Sequence, residues 1–304
     1  MPAPASAVSR SPRLDTDLGI CPEASQLLDS RRGDLVFYSP AKINLFFRVL
    51  RKRSDGFHEI ASLYQAIDLF DRISFSKGEV DSLTCSDPEL PCGSDNLIVK
   101  ALNLFRSRYP FPCGVNIHLE KRIPMQAGLG GGSGNAATTL WGLNEWAGRP
   151  ANLDQLISMG ASLGSDVAFF FSQGTAYCTG RGEILVPFTL PRSLEGWLAK
   201  PQFGLSTPLV YQEIRVQELT NRDPKETLAA YPLFYNDLEL AAFRLEPRLV
   251  SFRKQLEQMG FESVTMTGSG TAFFCIGGSR PNSIEMIPFR SIQRDSDTWF
   301  LPRF

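Results

Sequence analysis

The chain has 304 residues, 43% of them hydrophobic and 21% charged, with 31 Lys and Arg against 32 Asp and Glu. That is enough apolar material for a sizeable core, which excludes a disordered tail or a small stapled scaffold. The net charge of −1 gives no overall basic excess for holding nucleic acid by its phosphates, and no apolar run approaches the roughly 18 residues of a membrane span.

Residues 1–33 are rich in Ala, Ser, Pro and Arg and lack a periodic apolar face. The apolar centre of a secretory signal is missing, so the segment reads as an organelle transit segment or as a disordered tail. Asp15, Asp17, Glu23 and Asp29 count against the transit reading. From Val36 the pattern turns strand-like: Val36–Tyr38 and Ile43–Leu50 are expected strands with Ser39-Pro40 between them, and Ile67–Ser76 is another. Leu97, Ala101, Leu102 and Phe105 recur at helical spacing between Asn96 and Pro110. Val115–Glu120 alternates, which puts His118 on a solvated face. A glycine-rich stretch leads into a helix ending near Trp146, and a second helix through Leu153, Leu156, Ile157 and Ala161 closes at Gly164. The apolar run Val167–Phe171 is strand-sized. Thr175–Cys178 and Ile184–Phe188 suggest a hairpin. After Pro191 the expected elements are a strand near Trp197, helices over Leu209–Leu219 and Pro247–Met259, and strands Val264–Thr267 and Thr271–Ile276 around Gly268-Ser-Gly270. Strands and helices mix without strict alternation, which favours an α+β fold, with domains over 34–190 and 191–304.

The six cysteines include no C-x-x-C pair and are read as mostly free thiols. The two histidines, His58 and His118, leave little for a His-based zinc site or relay. The most informative segment is Gly128–Gly134, with five glycines, one leucine and one serine directly before an Ala-rich helix. Glycine lets a ligand approach the backbone, and free N–H groups at a helix start favour an anion. The chemistry that needs both is phosphate binding. No Gly-Lys-Ser/Thr occurs, which excludes the Walker loop. Gly132–Ala137 fits G-x-G-x-x-G/A loosely, with Asp154 about 20 residues on, but Pro124 and further loop residues stand where a buried strand should end.

Lys42 and Asn44 share a strand face, with Phe46 expected beside them, and form a polar patch that either reaches a ligand or is merely solvated. Asp166 precedes the apolar run Val167–Phe171 and is either a paired carboxylate or a helix N-cap. Phe57 and His58 follow Arg51–Gly56 in a polar turn, where an exposed ring beside a donor–acceptor ring suits base recognition.

Pro124–Ala137 resembles the phosphate loop of the GHMP kinase superfamily. Ser39–Leu45 resembles its opening strand motif, Asp55–Glu59 a cytidine-recognition segment found in one branch, and Met266–Thr271 its C-terminal glycine motif. Phe170–Glu183 and Asn236–Glu239 are similar to plant and cyanobacterial members of that branch. The resemblance implies a two-domain fold and an ATP- and Mg²⁺-dependent phosphorylation of a small-molecule substrate, a cytidine diphosphate methylerythritol, on its 2-hydroxyl. It implies Asp166 as base with Lys42 as partner; Asn44, Phe57 and His58 at the substrate; and Asn96, Lys100, Gly128, Gly130, Gly131, Gly132, Ser133, Gly134, Gly268, Ser269 and Gly270 at ATP. Ser133 is the expected metal contact, because Gly134 stands where the superfamily branch has a second Ser. Another kinase of the superfamily, acting on mevalonate, homoserine or a sugar, is the alternative. An RNA-binding module and a nicotinamide oxidoreductase are more distant ones. The expected partners include no nucleic acid and no membrane, the assembly is a monomer or homodimer, and the compartment is the plastid stroma, or the cytoplasm in a bacterium.

Overall fold

The computed structural model describes residues 35–219, 223–229, 234–278 and 284–294. The expectations for residues 1–33 lie outside them. The first sheet is built on two long antiparallel strands, β1 (Leu35–Lys52) and β2 (His58–Gly78). β1 runs straight through Ser39-Pro40, where two strands were expected. Proline has no N–H to donate, so the ladder shifts register between Pro40 and Ala41 and then continues. A second shift falls between Asn44 and Phe46. It takes Phe46 off the Lys42–Asn44 face and into an apolar cluster with Ala41, Ile43 and Leu45.

Further along the chain come β3 (Ser82–Cys85), the helix α1 (Leu97–Arg108), β4 (Gly114–Glu120), α2 (Gly131–Trp146) and α3 (Leu153–Leu163). Asn96 caps α1 by accepting from Ile98 N, and an Asn152–Gln155 capping box opens α3. β3 alternates Ser82, Leu83, Thr84 and Cys85 but is only four residues long and was not expected. It pairs in parallel with β4, and its Thr84 Oγ1 lies 2.8 Å from His118 Nδ1, so His118 is a bonded strand residue. Val167–Phe171 is not a strand. Ala168–Phe171 form a buried 3-10 turn, a case in which a short, wholly apolar run carries no period to separate strand from helix.

β5 (Thr175–Gly180) pairs with the first half of β2, β4 with its second half, and β6 (Ile184–Pro187) borders β5 in the expected hairpin. The C-terminal part contributes β7 (Glu195–Ala199), α4 (Thr207–Gln212), α5 (Pro224–Ala229), β8 (Tyr235–Asn236), α6 (Leu238–Leu245), α7 (Arg248–Glu257), β9 (Ser263–Met266), β10 (Phe273–Ile276) and β11 (Met286–Arg290). The helix expected over Leu209–Leu219 is instead α4 followed by a 3-10 turn at Val216–Glu218. β7, β9, β10 and β11 form an antiparallel sheet in the order β11-β7-β10-β9, while β8 joins the first sheet beside β1. α2 lays Ala136, Ala137, Leu140 and Leu143 into the core that holds Phe37 and Phe75 from the first sheet. That packing places its N-terminus, and so the glycine stretch, against β1.

Candidate active site

The glycine stretch is half loop and half helix. Gly128 and Gly130 have φ of +74° and +68°, a conformation in which a side chain is strained. α2 begins at Gly131, and its cap residue Gly130 supplies no side-chain bond. The N–H groups of the first turn therefore have no side-chain cap, the condition that favours an anion. Close approach adds a second reason for glycine. A Cβ on Gly128 would collide with the Thr267 carbonyl oxygen, and one on Gly130 would lie 2.9 Å from Lys42 Cγ. A Cβ on Gly134 would lie 2.8 Å from Pro40 O and 2.9 Å from Ser39 Oγ, so glycine there lets α2 sit close on β1.

Backbone bonds tie the stretch to both sheets. Lys42 N donates to Leu129 O at 2.9 Å, and Ala272 N donates to Ala127 O at 3.2 Å. Gly128 thus lies beside Thr267 and Gly268, and a Cβ on Gly268 would stand 2.9 Å from Gly128 O and 3.3 Å from Lys42 Nζ. The two glycine motifs and Lys42 meet in one place. Asn236 holds the second motif, its Nδ2 donating to Met266 O at 2.7 Å and Gly268 O at 2.8 Å. Thr207 Oγ1 lies 2.7 Å from Ser269 Oγ.

Lys42 is only 3% exposed. Its Nζ donates to Asn44 Oδ1 at 2.6 Å and lies 3.7 Å from Asp166 Oδ2. Burial lowers the Lys42 pKa, and the Asp166 charge pulls it back up. Tyr64, opposite Asn44 in the ladder, completes the cluster. Its ring centroid is 5.0 Å from Lys42 Nζ, and its hydroxyl donates to Asp166 Oδ1 at 3.1 Å. Burial first, and Asp166 next, push the Tyr64 phenol well above its ordinary range, so it stays a donor. Asp166 does not cap the following 3-10 turn, whose cap residue is Val167. Asn44 is fully buried: its N–H donates to Thr267 Oγ1 at 3.0 Å and its Nδ2 to Ser62 Oγ at 3.0 Å. It touches Lys42 and the second glycine motif.

Phe57 is 54% exposed at the β1–β2 turn, and the Arg181 guanidinium lies 4.9 Å from its ring centroid. His58, expected in a polar turn, instead opens β2. It is buried, with its ring 5.6 Å from that of Tyr211, and burial and then Lys52 lower its pKa. Asn96 Nδ2 donates to Pro91 O at 2.8 Å, while Lys100 is exposed and 3.7 Å from Asp95. α1 nevertheless reaches the loop, since a Cβ on Gly132 would meet Leu97 Cδ1 at 3.7 Å. Sequence reasoning missed Tyr64 and Tyr211, which carry no local motif of their own, and gave no role to Arg181, which lies inside the quoted Phe170–Glu183 segment. A cavity of about 620 Å³ lined by Asp68, Trp197 and Arg290 includes none of the residues above and lies apart from this chemistry.

Among the described residues, no group of three or more His, Cys, Asp or Glu could hold a metal ion. That lining is compatible with an ion held mainly by phosphate oxygens and water, as Mg²⁺ commonly is.

The model of the GHMP kinases N terminal domain matches residues 96–174. A 4-diphosphocytidyl-2-C-methyl-D-erythritol kinase of Protochlamydia amoebophila is 45% identical over 264 residues, which is 86% of this chain and 92% of that protein. A chloroplastic enzyme of the same name from Mentha piperita is 40% identical over 262 residues, 81% of this chain and 65% of that protein. Among solved structures, a 4-(cytidine 5'-diphospho)-2C-methyl-D-erythritol kinase superposes with a TM-score of 0.72 at 32% identity, over 85% of this chain and 100% of that one.

Proposed function

The chain belongs to the 4-diphosphocytidyl-2-C-methyl-D-erythritol kinase family, and from that premise we propose how its residues move a phosphoryl group from ATP to the 2-hydroxyl of that substrate. The reaction is a step of the non-mevalonate route to isoprenoid precursors. The observation that carries the division of labour is the meeting of Lys42, Asp166 and both glycine motifs at one point.

In our reading the phosphates of ATP lie against the N–H groups of Gly131, Gly132 and Ser133, bounded by Gly128, Gly130, Gly134 and the Gly268–Gly270 turn. Asn96 and Lys100 border the adenosine end. Asp166 takes the proton of the 2-hydroxyl as its oxygen attacks the γ-phosphorus and the bond to the bridging β–γ oxygen breaks, releasing ADP. Lys42 balances the Asp166 charge and the charge that develops on the transferred group. Asn44 fixes the Lys42 ammonium, and the Tyr64 hydroxyl fixes one Asp166 oxygen, leaving the other to accept the proton. Mg²⁺, when bound, would be held by the phosphates with Ser133 beside them and would supply neutralising charge. Phe57 stacks on the cytosine ring and His58 reads its edge.

ATP consumption measured with the cytidine diphosphate substrate, mevalonate and galactose in turn tests this. Turnover is expected with the first alone; activity confined to mevalonate overturns the substrate assignment. For the compartment, our reading is the plastid stroma, on the strength of the relatives named chloroplastic, with a bacterial cytoplasm as the alternative. Residues 1–33 fused to a fluorescent protein should enter plastids of a plant cell, and a fusion that stays in the cytosol counts against that reading.

A further inference from the structure

We propose that Asp71 is a positioning residue that clamps both ends of the phosphate loop. It is fully buried on β2, opposite Ser39 in the ladder, and lies outside every motif quoted above. Its Oδ1 accepts from Arg122 N at 2.7 Å and Ile123 N at 2.8 Å, the two residues that lead into the loop. Its Oδ2 accepts from Asn135 Nδ2 at 3.0 Å, on the first turns of α2. The residues between those anchors, Pro124–Gly134, are the loop and the first turn of α2. The Asn135 orientation follows from chemistry, because a carboxylate only accepts and the amide nitrogen must be the atom that faces it.

Lys121 neutralises the carboxylate, its Nζ lying 2.9 Å from Oδ2 and also donating to Ile123 O. The same ammonium would stand 3.4 Å from a Cβ on Gly131, so its charge lies next to the first residue of α2. A stretch with five glycines loses much conformational freedom when it closes on a ligand. Pinning both ends to one buried carboxylate removes part of that loss before ATP arrives. The inference rests on the kinase reading for the ligand, but the clamp itself is measurable without turnover.

Asp71→Asn leaves Lys121 buried without its counter-charge and so mixes folding with loop effects; Asn135→Ala, which keeps the Asp71–Lys121 pair, is the primary variant. Three readouts are taken: amide hydrogen exchange across 124–134, binding of a non-hydrolysable ATP analogue, and KM for each substrate. A hydrogen bond to a charged group is worth enough that its loss should weaken the analogue and raise KM for ATP by about tenfold. Loop amides should exchange faster than those of β4 or α3, and KM for the cytidine substrate should change little. A lower Tm with unchanged loop exchange and unchanged analogue affinity overturns the clamp and leaves Asp71 a structural ion-pair member. A wild-type enzyme that binds the analogue with a protected loop yet ignores the cytidine substrate overturns the substrate reading and keeps the clamp.

Discussion

Asp166 keeps its place by two bonds of different kinds, an ion pair with Lys42 and a hydrogen bond from Tyr64. Asparagine at 166 can still accept from Tyr64, so Asp166→Asn should fold normally and bind ATP while kcat falls by about 10²–10⁴, the usual worth of a general base. Lys42→Ala should lower kcat as well, and the double variant should fall far short of the summed losses because the pair acts as a unit. Near-normal turnover of Asp166→Asn in steady-state assays would remove it as the base. His58 gives a second test at this scale. Burial and Lys52 hold its pKa below the ordinary 6.5. As pH falls through 6.5 the unfolded chain takes up a proton that the folded one resists, so stability drops toward the lowered folded value. Thermal melts from pH 7.5 to 5.5 should show this decline in the wild type and a shallower one in His58→Gln. Parallel curves would mean that His58 titrates alike in both states.

Two hairpins meet at the proposed cytidine site, since Phe57 comes from the β1–β2 turn and Arg181 from the β5–β6 turn. A half-exposed ring held by a cation is ready to stack on a base. Stacking on one aromatic is worth about 1–3 kcal/mol, so Phe57→Ala should raise KM for the cytidine substrate roughly ten- to a hundredfold and leave KM for ATP nearly unchanged. Phe57→Tyr keeps the ring face and should be close to neutral. An effect on ATP instead would reverse the placement of the two nucleotides. This element also shows what the sequence could reveal. Phe57, His58, Lys42, Asp166 and both glycine motifs sit in local patterns and were legible. Helices α1 and α3 were too, because each buries a periodic stripe, whereas α2, buried on nearly every side from Gly134 to Asn144, was legible from the glycine stretch that opens it. The course of β1 through Pro40 and the bulge at Leu45 were not, since register depends on the partner strand. Asp71 and Tyr64 were invisible for a related reason: each acts on residues distant in sequence, and neither interrupts the pattern of β2.

At the scale of the whole molecule, two sheets share one apolar cluster. Phe37, Phe75 and Phe105 belong to it together with Val264, Phe273 and Cys275 from the C-terminal part. β8 pairs with β1 at Phe46 and Phe47, and the next residue, Asp237, accepts from Val49 N at 2.8 Å and lies 3.3 Å from Arg48 Nε. Both partners of that ion pair are buried. We therefore propose that the segments 34–190 and 191–304, which the first sheet joins through β8, unfold together. Trp141 and Trp146 on α2 report on the first segment and Trp197 on β7 reports on the second. Urea unfolding followed by fluorescence in variants that keep only one set of tryptophans should give coincident midpoints. Arg48→Met strands the Asp237 carboxylate in the interior, a change that costs about 3–5 kcal/mol when a buried pair is broken. Because the pair joins β1 to the start of α6, both fluorescence midpoints should fall by the same amount. A variant in which only the Trp197 signal moves would show that the C-terminal segment melts by itself and that the shared cluster does not couple the two.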